Sequence, residues 1–240
     1  MMNQPGILEL ISFGPDGWGK ALLAGAWMTV LVALAGYSTG AVIGSFGAWA
    51  KISGGRGLRI AADTYTTVLR GIPDLLVIYL FYFGGSAAVT AIGQLFGAEG
   101  FLGFPGFLAG SLAVGITSGA QFTEVFRGAF KAVHPGEIEA AIACGMGRWL
   151  RFRRIIAPLT LRHALPGLGN IWQVVLKESA LVSITGVAEL LRQTQIAAGS
   201  TGLPFDFYAI AGAIYLVIST GSGLFLRRAE KHFSRGVRRG

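Results

Sequence analysis

An all-α membrane protein with about five transmembrane helices is the fold class this sequence predicts, and three observations predict it. Of 240 residues, 52% are hydrophobic and only 13% charged, where a soluble domain carries about a quarter charged residues, and mean hydropathy is +0.59. Five stretches are apolar over about the 20 residues that a helix needs to cross a bilayer core. The basic residues, which bring the net charge to +8, gather in alternate connections between those stretches. A content of 37 glycines fits the same class, because small residues let membrane helices approach closely.

The first span covers 20–50, with its apolar run from Ala21 to Ala50. Within it Gly36, Gly40 and Gly44 form two overlapping small-xxx-small steps on one face, a spacing suited to close crossing with a helix of this chain or of a second subunit. Residues 60–92 read as a helical arm, "AADTYTTVLRGIP", followed by a span from Leu75 to Ile92, with Pro73 bending or starting a helix between them. The third span occupies 107–130, apolar from Phe107 to Phe126. A fourth, more polar than the rest, runs from Leu165 to Leu190, and the fifth from Phe205 to Leu226, before a basic tail at 227–240. The whole chain reads as one transmembrane domain, without an internal repeat.

Orientation follows from the short connections, since basic loops stay cytoplasmic. Lys51, Arg56 and Arg59 follow span one; Lys131, Arg148, Arg151, Arg153, Arg154 and Arg162 lie between spans three and four; Arg227, Arg228, Lys231, Arg235, Arg238 and Arg239 follow span five. The opposite connections hold little beyond Lys20 and Arg192. This places the amino terminus in the periplasm and the carboxyl terminus in the cytoplasm. Topology thus accounts for the positive charge, and no aromatic interleaving suited to bases accompanies it, so no nucleic-acid partner is expected.

Other chemistries find little support. Cys144 is a single cysteine, and His134, His163 and His232 are too scattered for a metal motif, so no metal or resident cofactor is expected. Met1 to Asp16 contains no Lys or Arg, so no cleaved signal peptide is expected. Gly14 to Lys20 approximates a phosphate-binding loop, but Ala21 stands where the magnesium-holding hydroxyl belongs and no strand precedes it.

The segment "EIEAAIACGMGRWLRFRRIIAP", Glu137 to Pro158, is the longest polar interruption, within a cytoplasmic loop at 134–163. Pro135 and Gly136 end span three, and Glu137 and Glu139 then stand in the first turn of a new helix, where acids complement the dipole. Ala140, Ala141 and Ala143 give that helix a small-sided surface, and Gly145 and Gly147 permit a turn. Trp149, Phe152 and Ile156 follow at helical spacing, with Arg148, Arg151 and Arg154 on another face. A basic amphipathic segment can lie on anionic lipid, which explains the arginines but not the Glu-Ala-Ala portion. A short helix with small residues suits docking in another protein's groove.

Glu139-Ala140-Ala141-x3-Gly145-x9-Ile155-x-Ala157-Pro158 resembles the EAA signature of bacterial ABC importer permeases, with Ala157 where leucine is common. "YTTVLRGIPDLL" (Tyr65 to Leu76), "FTEVFRGAF" (Phe122 to Phe130) and "ALPGLGNIWQVVLKESALVSITG" (Ala164 to Gly186) are similar to the polar amino acid branch, the Q-type subunits of histidine/lysine/arginine/ornithine and octopine/nopaline importers. The resemblance implies a type I importer permease fold in the bacterial inner membrane. It implies a second, homologous M-type permease, two ATP-binding subunits that hold ATP and magnesium, and a periplasmic solute-binding protein. It also makes Glu137 to Gly147 the coupling helix that sits in a cleft of the ATPase.

Span four carries the intramembrane charge. Lys177 and Glu178 lie about 17 Å along the helix from Pro166, near the midplane. Charges there cost about 2.5 to 3.5 kcal/mol each on the lenient insertion scale, so they face a polar interior or each other. At about 100° per residue, Asn170, Gln173, Lys177, Glu178 and Thr185 share one arc, a cavity wall in which Glu178 can hold a cationic group and Lys177 a carboxylate. The competing reading is contact with a partner helix. Where histidine-type members of the family carry a small polar residue, Glu178 tilts the expected substrate toward an opine or cationic amino acid; glutamine or glutamate is the alternative. Arg70 with Asp74, and Glu124 with Arg127, have helical spacing and read as structural ion pairs near the cytoplasmic ends of their spans.

The expected function is a permease subunit that does no covalent chemistry and rocks between outward and inward openings as its ATPases close. An intramembrane enzyme needs a convergent nucleophile and base, which Ser179, Ser183 and His163 do not form. A channel would conduct without ATPase partners.

Overall fold

The computed structural model describes residues 7–15 and 17–233, and every regular element among them is helical. Residues 1–6, Asp16 of the phosphate-loop lookalike, and Arg235, Arg238 and Arg239 of the tail lie outside the described residues. The helices are α1 (Ile7–Leu10), α2 (Gly19–Ser53), α3 (Arg56–Gly71), α4 (Asp74–Tyr79), α5 (Gly85–Leu95), α6 (Gly106–Lys131), α7 (Pro135–Ala143), α8 (Arg148–Arg151), α9 (Ala157–Glu178), α10 (Leu190–Thr201) and α11 (Pro204–Phe233). A π turn at Leu80–Gly84 joins α4 to α5, another at Phe152–Ile156 joins α8 to α9, and a 3-10 segment, Ser179–Thr185, follows α9.

Among the described residues, three stretches are long and apolar enough to cross a membrane by length and composition: Gly19–Ser53, Asp74–Leu95 and Pro204–Lys231. The last is only 6% buried within the chain, so its apolar face is outward. α6, the expected third span, falls short on hydropathy for a physical reason. Its Ser111, Thr117, Ser118 and Thr123 are all buried, so this helix is enclosed by protein and does not need an apolar surface for lipid.

Local chemistry sets most boundaries. α3 ends where Ile72 turns extended, with φ −110° and ψ 147°, as expected before Pro73. α7 begins with Pro135 at its first turn, and the His134 ring nitrogen accepts the Gly136 N–H at 3.1 Å. It ends beside Gly145, whose φ of +75° lies in the left-handed region. Expectation and structure part at the fourth span. Leu165 to Leu190 is not one helix: α9 starts earlier, at Ala157, and stops at Glu178; the chain continues as 3-10 structure, reverses at Gly186 (φ +83°), and restarts as α10.

By internal contacts the chain divides into two compact units. Unit 1 takes the chain up to Gly36, Asp74–Val114 and Val175–Gly221; unit 2 takes Tyr37–Pro73, Gly115–Val174 and the chain from Ser222. In unit 1, Leu22, Ala26, Leu190, Ala197, Phe207 and Ala211 form a buried cluster, with Trp18 edge-on to Phe207 at 6.4 Å. In unit 2 the ring of Tyr37 is edge-on to both Phe122, at 4.8 Å, and Trp172, at 5.6 Å.

The glycine face of α2 finds its neighbour within the chain. A Cβ on Gly36 would press on Val114 in unit 1, and Cβ atoms on Gly40 and Gly44 would strike Ser118 and Phe122 of α6 in unit 2. The small-xxx-small steps therefore serve the α2–α6 crossing, and the alternative of a second subunit is not needed to explain them.

Candidate functional site

The segment expected to couple, α7, is a largely exposed helix. Glu137, Glu139, Ala140 and Ala143 are exposed on α7, and so is the side chain of Ile142, at 53%; only Ala141 of the Glu-Ala-Ala triplet is buried. Ala141 thus packs inward while its neighbours present a small-sided outer face with one apolar projection. Gly145 and Gly147, both exposed, form the turn into α8, and Gly147 stands as its amino-terminal cap residue. Ile142 was not singled out from the sequence; its position next to the triplet, in a helix of small side chains, is the signal that marks it.

In unit 1 two acids meet. Asp74, the first residue of α4, lies beside Glu178 at the end of α9, close enough for the two carboxyls to interact. Oε2 of Glu178 is buried and has no hydrogen-bond partner. No Lys or Arg among the described residues forms an ion pair with either acid. Adjacent Lys177 is exposed. The result is an acidic spot with an unused acceptor, suited to a cationic group.

The other members of the expected arc fare differently. Thr185 is buried, and its hydroxyl lies 2.8 Å from the nearby Val182 O and 3.1 Å from Gly106 O at the start of α6. It lies beyond the end of α9, in 3-10 structure of about three residues per turn, so an angle counted at 100° per residue does not reach it. Asn170, exposed, and Gln173, half-buried, lie on the part of α9 that belongs to unit 2.

The expected Arg70–Asp74 pair spans a helix break. Ile72 and Pro73 separate α3 from α4, so i to i+4 spacing on one helix does not hold, and Asp74 turns to Glu178 instead. Glu124 and Arg127, by contrast, sit on continuous α6 and are paired, with Nε at 2.9 Å and Nη2 at 2.5 Å from Oε2. Their pair is part of a larger cluster in unit 2. Lys51 Nζ lies 2.7 Å from Glu124 Oε1, 2.8 Å from Asp63 Oδ1 and 2.6 Å from Thr66 Oγ1, with only 7% of its side chain exposed. From sequence Lys51 is only an orientation marker, because its partners lie far along the chain. Replacing Lys51 with Met leaves Glu124 short of a donor in a half-buried setting. We expect a loss of about 2 kcal/mol, read as a lower midpoint in a detergent thermal-unfolding assay, with Lys51→Arg recovering part of it.

Comparison with known proteins follows this geometry. The family model for binding-protein-dependent transport system inner membrane components matches residues 40–239. The octopine transport system permease protein OccQ of Rhizobium meliloti is 55% identical over 235 residues, covering 98% of this chain and 99% of that one. The histidine/lysine/arginine/ornithine transport system permease protein HisQ of Escherichia coli strain K12 is 41% identical over 223 residues, covering 93% and 97%. Among solved structures, an amino acid ABC transporter with histidines superposes with a TM-score of 0.75 at 33% identity, covering 90% of this chain and 95% of that one. The helical architecture, the EAA segment and these matches agree: the chain belongs to the binding-protein-dependent transport system inner membrane components, as a type I permease subunit of an ABC importer in which ATP hydrolysis falls to a partner ATPase.

Proposed function

We propose that this subunit forms part of the path by which a cationic amino acid or an opine crosses the bacterial inner membrane, driven by two ATP-binding subunits docked on α7. Its membrane partner is a homologous M-type permease, and a periplasmic binding protein delivers the solute. ATP and magnesium reside on the ATPases. The observation that carries the reading is the exposed, small-sided face of α7 with Ile142 projecting from it, at the Glu-Ala-Ala position of the family signature. Such a face fits closely into a cleft, where one apolar anchor supplies most of the contact energy.

On the solute side, Asp74 and Glu178 supply neighbouring carboxyls that form no ion pair among the described residues, and Lys177 stands beside them for a solute carboxylate. Relatives named for octopine and for histidine, lysine, arginine and ornithine support a substrate that carries positive charge together with a carboxylate. Binding a cation there replaces water with a charge-assisted contact inside a low-dielectric bundle.

Two measurements test the reading. In a co-expressed transporter, Ile142→Asp is expected to weaken retention of the ATPase about tenfold; full retention removes α7 as the coupling element. In the reconstituted system, Glu178→Gln is expected to raise the KM for arginine or octopine uptake about tenfold, with ATPase retention unchanged. An unaltered KM removes the acid pair as the solute contact, and transport of glutamine in preference to arginine replaces the substrate class.

A further inference from the structure

We propose that unit 2 holds a seat for one anionic phospholipid of the cytoplasmic leaflet, its phosphate taken by Arg151 and Thr160 and an acyl chain lying against Trp49, Trp149 and Phe152. A cavity of about 810 Å³ opens between the end of α2, the end of α6 and the stretch from α8 into α9, and its lining contains these five residues together with Arg148. No Asp or Glu among the described residues lines it.

Two buried polar atoms at this cavity lack partners: Nε of Arg151 and Oγ1 of Thr160. Few buried polar groups in native proteins go unpaired, and an unpaired donor costs about 1 to 3 kcal/mol. Both residues line the cavity, and each keeps an unpaired donor, a guanidinium N–H and a hydroxyl, of the kind a phosphodiester oxygen accepts from. Neither Arg148 nor Arg151 is ion-paired among the described residues, so the local charge is uncompensated. Between Arg151 and Thr160 lies the π turn Phe152–Ile156, a type of irregularity that concentrates at functional positions.

The rest of the lining favours an amphiphile over a free anion. Trp49 is 55% exposed, Trp149 72% and Phe152 48%, and the Trp149 and Phe152 rings stack at 6.0 Å. Tryptophan collects at the headgroup level of membranes. The cavity also adjoins the carboxyl-terminal ends of α2 and α6, where Lys51 and Lys131 mark the cytoplasmic side. A headgroup phosphate against arginine and a chain against aromatic rings uses both halves of this surface. The basic amphipathic segment thereby acquires a defined lipid site, independent of which solute is transported.

The test uses the complete transporter, purified in mild detergent and titrated with phosphatidylglycerol under native mass spectrometry. One phosphatidylglycerol per copy of this chain is expected to persist. Binding is expected to weaken about tenfold in Arg151→Gln and also in Thr160→Val, while Arg153→Gln, outside the cavity, leaves it unchanged. Thr160→Val keeps side-chain shape, so it decides the matter if Arg151→Gln fails to fold. Equal affinity for phosphatidylcholine overturns the proposal, as does displacement of phosphatidylglycerol by equimolar inorganic phosphate. Unchanged lipid binding with lost ATPase retention overturns it too, and assigns the cavity to a protein contact.

Discussion

A Glu189→Ala chain is expected to lose about 4 kcal/mol of stability, a large share of the whole margin of a folded protein. Glu189 is 0% exposed. Its carboxylate caps α10, accepting the Arg192 N–H at 2.7 Å and the Leu191 N–H at 2.9 Å. Thr29 Oγ1 and the Tyr215 hydroxyl each lie 3.2 Å from Oε2, and Thr29 Oγ1 in turn accepts the Leu190 N–H at 3.1 Å. One side chain thus ties α2, α10 and α11 within unit 1. Alanine strips two backbone donors and a phenol of their acceptor at a fully buried position, at about 1 to 3 kcal/mol for each orphaned group. Glutamine retains one acceptor oxygen and turns an N–H₂ toward the remaining donors, so it is expected to lose about half as much. Size-exclusion profiles and thermal midpoints in one detergent measure both. An alanine variant with an unshifted midpoint contradicts the account.

Gly44→Leu is expected to abolish accumulation of folded protein, and Gly44→Ala to cost about 2 kcal/mol. A Cβ at position 44 meets the Cβ of Phe122 and comes within 2.9 Å of the Phe122 and Thr123 backbone, which cannot rotate away as a side chain would. Phe122 is itself fixed, 0% exposed and wedged between Tyr37 at 4.8 Å and Phe126 at 5.8 Å. The two helices must therefore separate along the crossing, with loss of contacts at Gly40 as well. Gly128 provides the opposite sign. It is exposed inside α6 with nothing within 4 Å of its Cβ position, so Gly128→Ala gains about 0.5 to 1 kcal/mol from helix propensity. A glycine scan by thermal midpoint distinguishes crossing glycines from those that merely punctuate.

The apolar runs and their punctuation were readable from sequence because they are local. Pro73, Pro135, Gly145 and the basic loops fix where α4 and α7 begin and which way the chain threads, with no knowledge of neighbours. The Glu-Ala-Ala segment stood out for the same reason, being polar and small-sided within an apolar chain. What escaped depends on distance or on a change of helix type. Lys51 meets Asp63 and Glu124, and Asp74 meets Glu178, across long sequence separations that no periodicity encodes. Ser179–Thr185 has the same apolar content as an α-helix, so a hydropathy window passes through Glu178 without registering the shift. The clue to α10 was Gly186 followed by an acid before an apolar pair, a cap pattern that the neighbouring hydrophobic residues obscured.

One ammonium group fastens α2, α3 and α6 together in unit 2, because Lys51 reaches Asp63, Thr66 and Glu124 at once. Those three rods then lack the liberty to slip past one another singly. If α7 takes the push of the ATPase, as proposed above, a shove entering immediately beyond the end of α6 reaches all three together, much as a rivet turns separate struts into a single bracket.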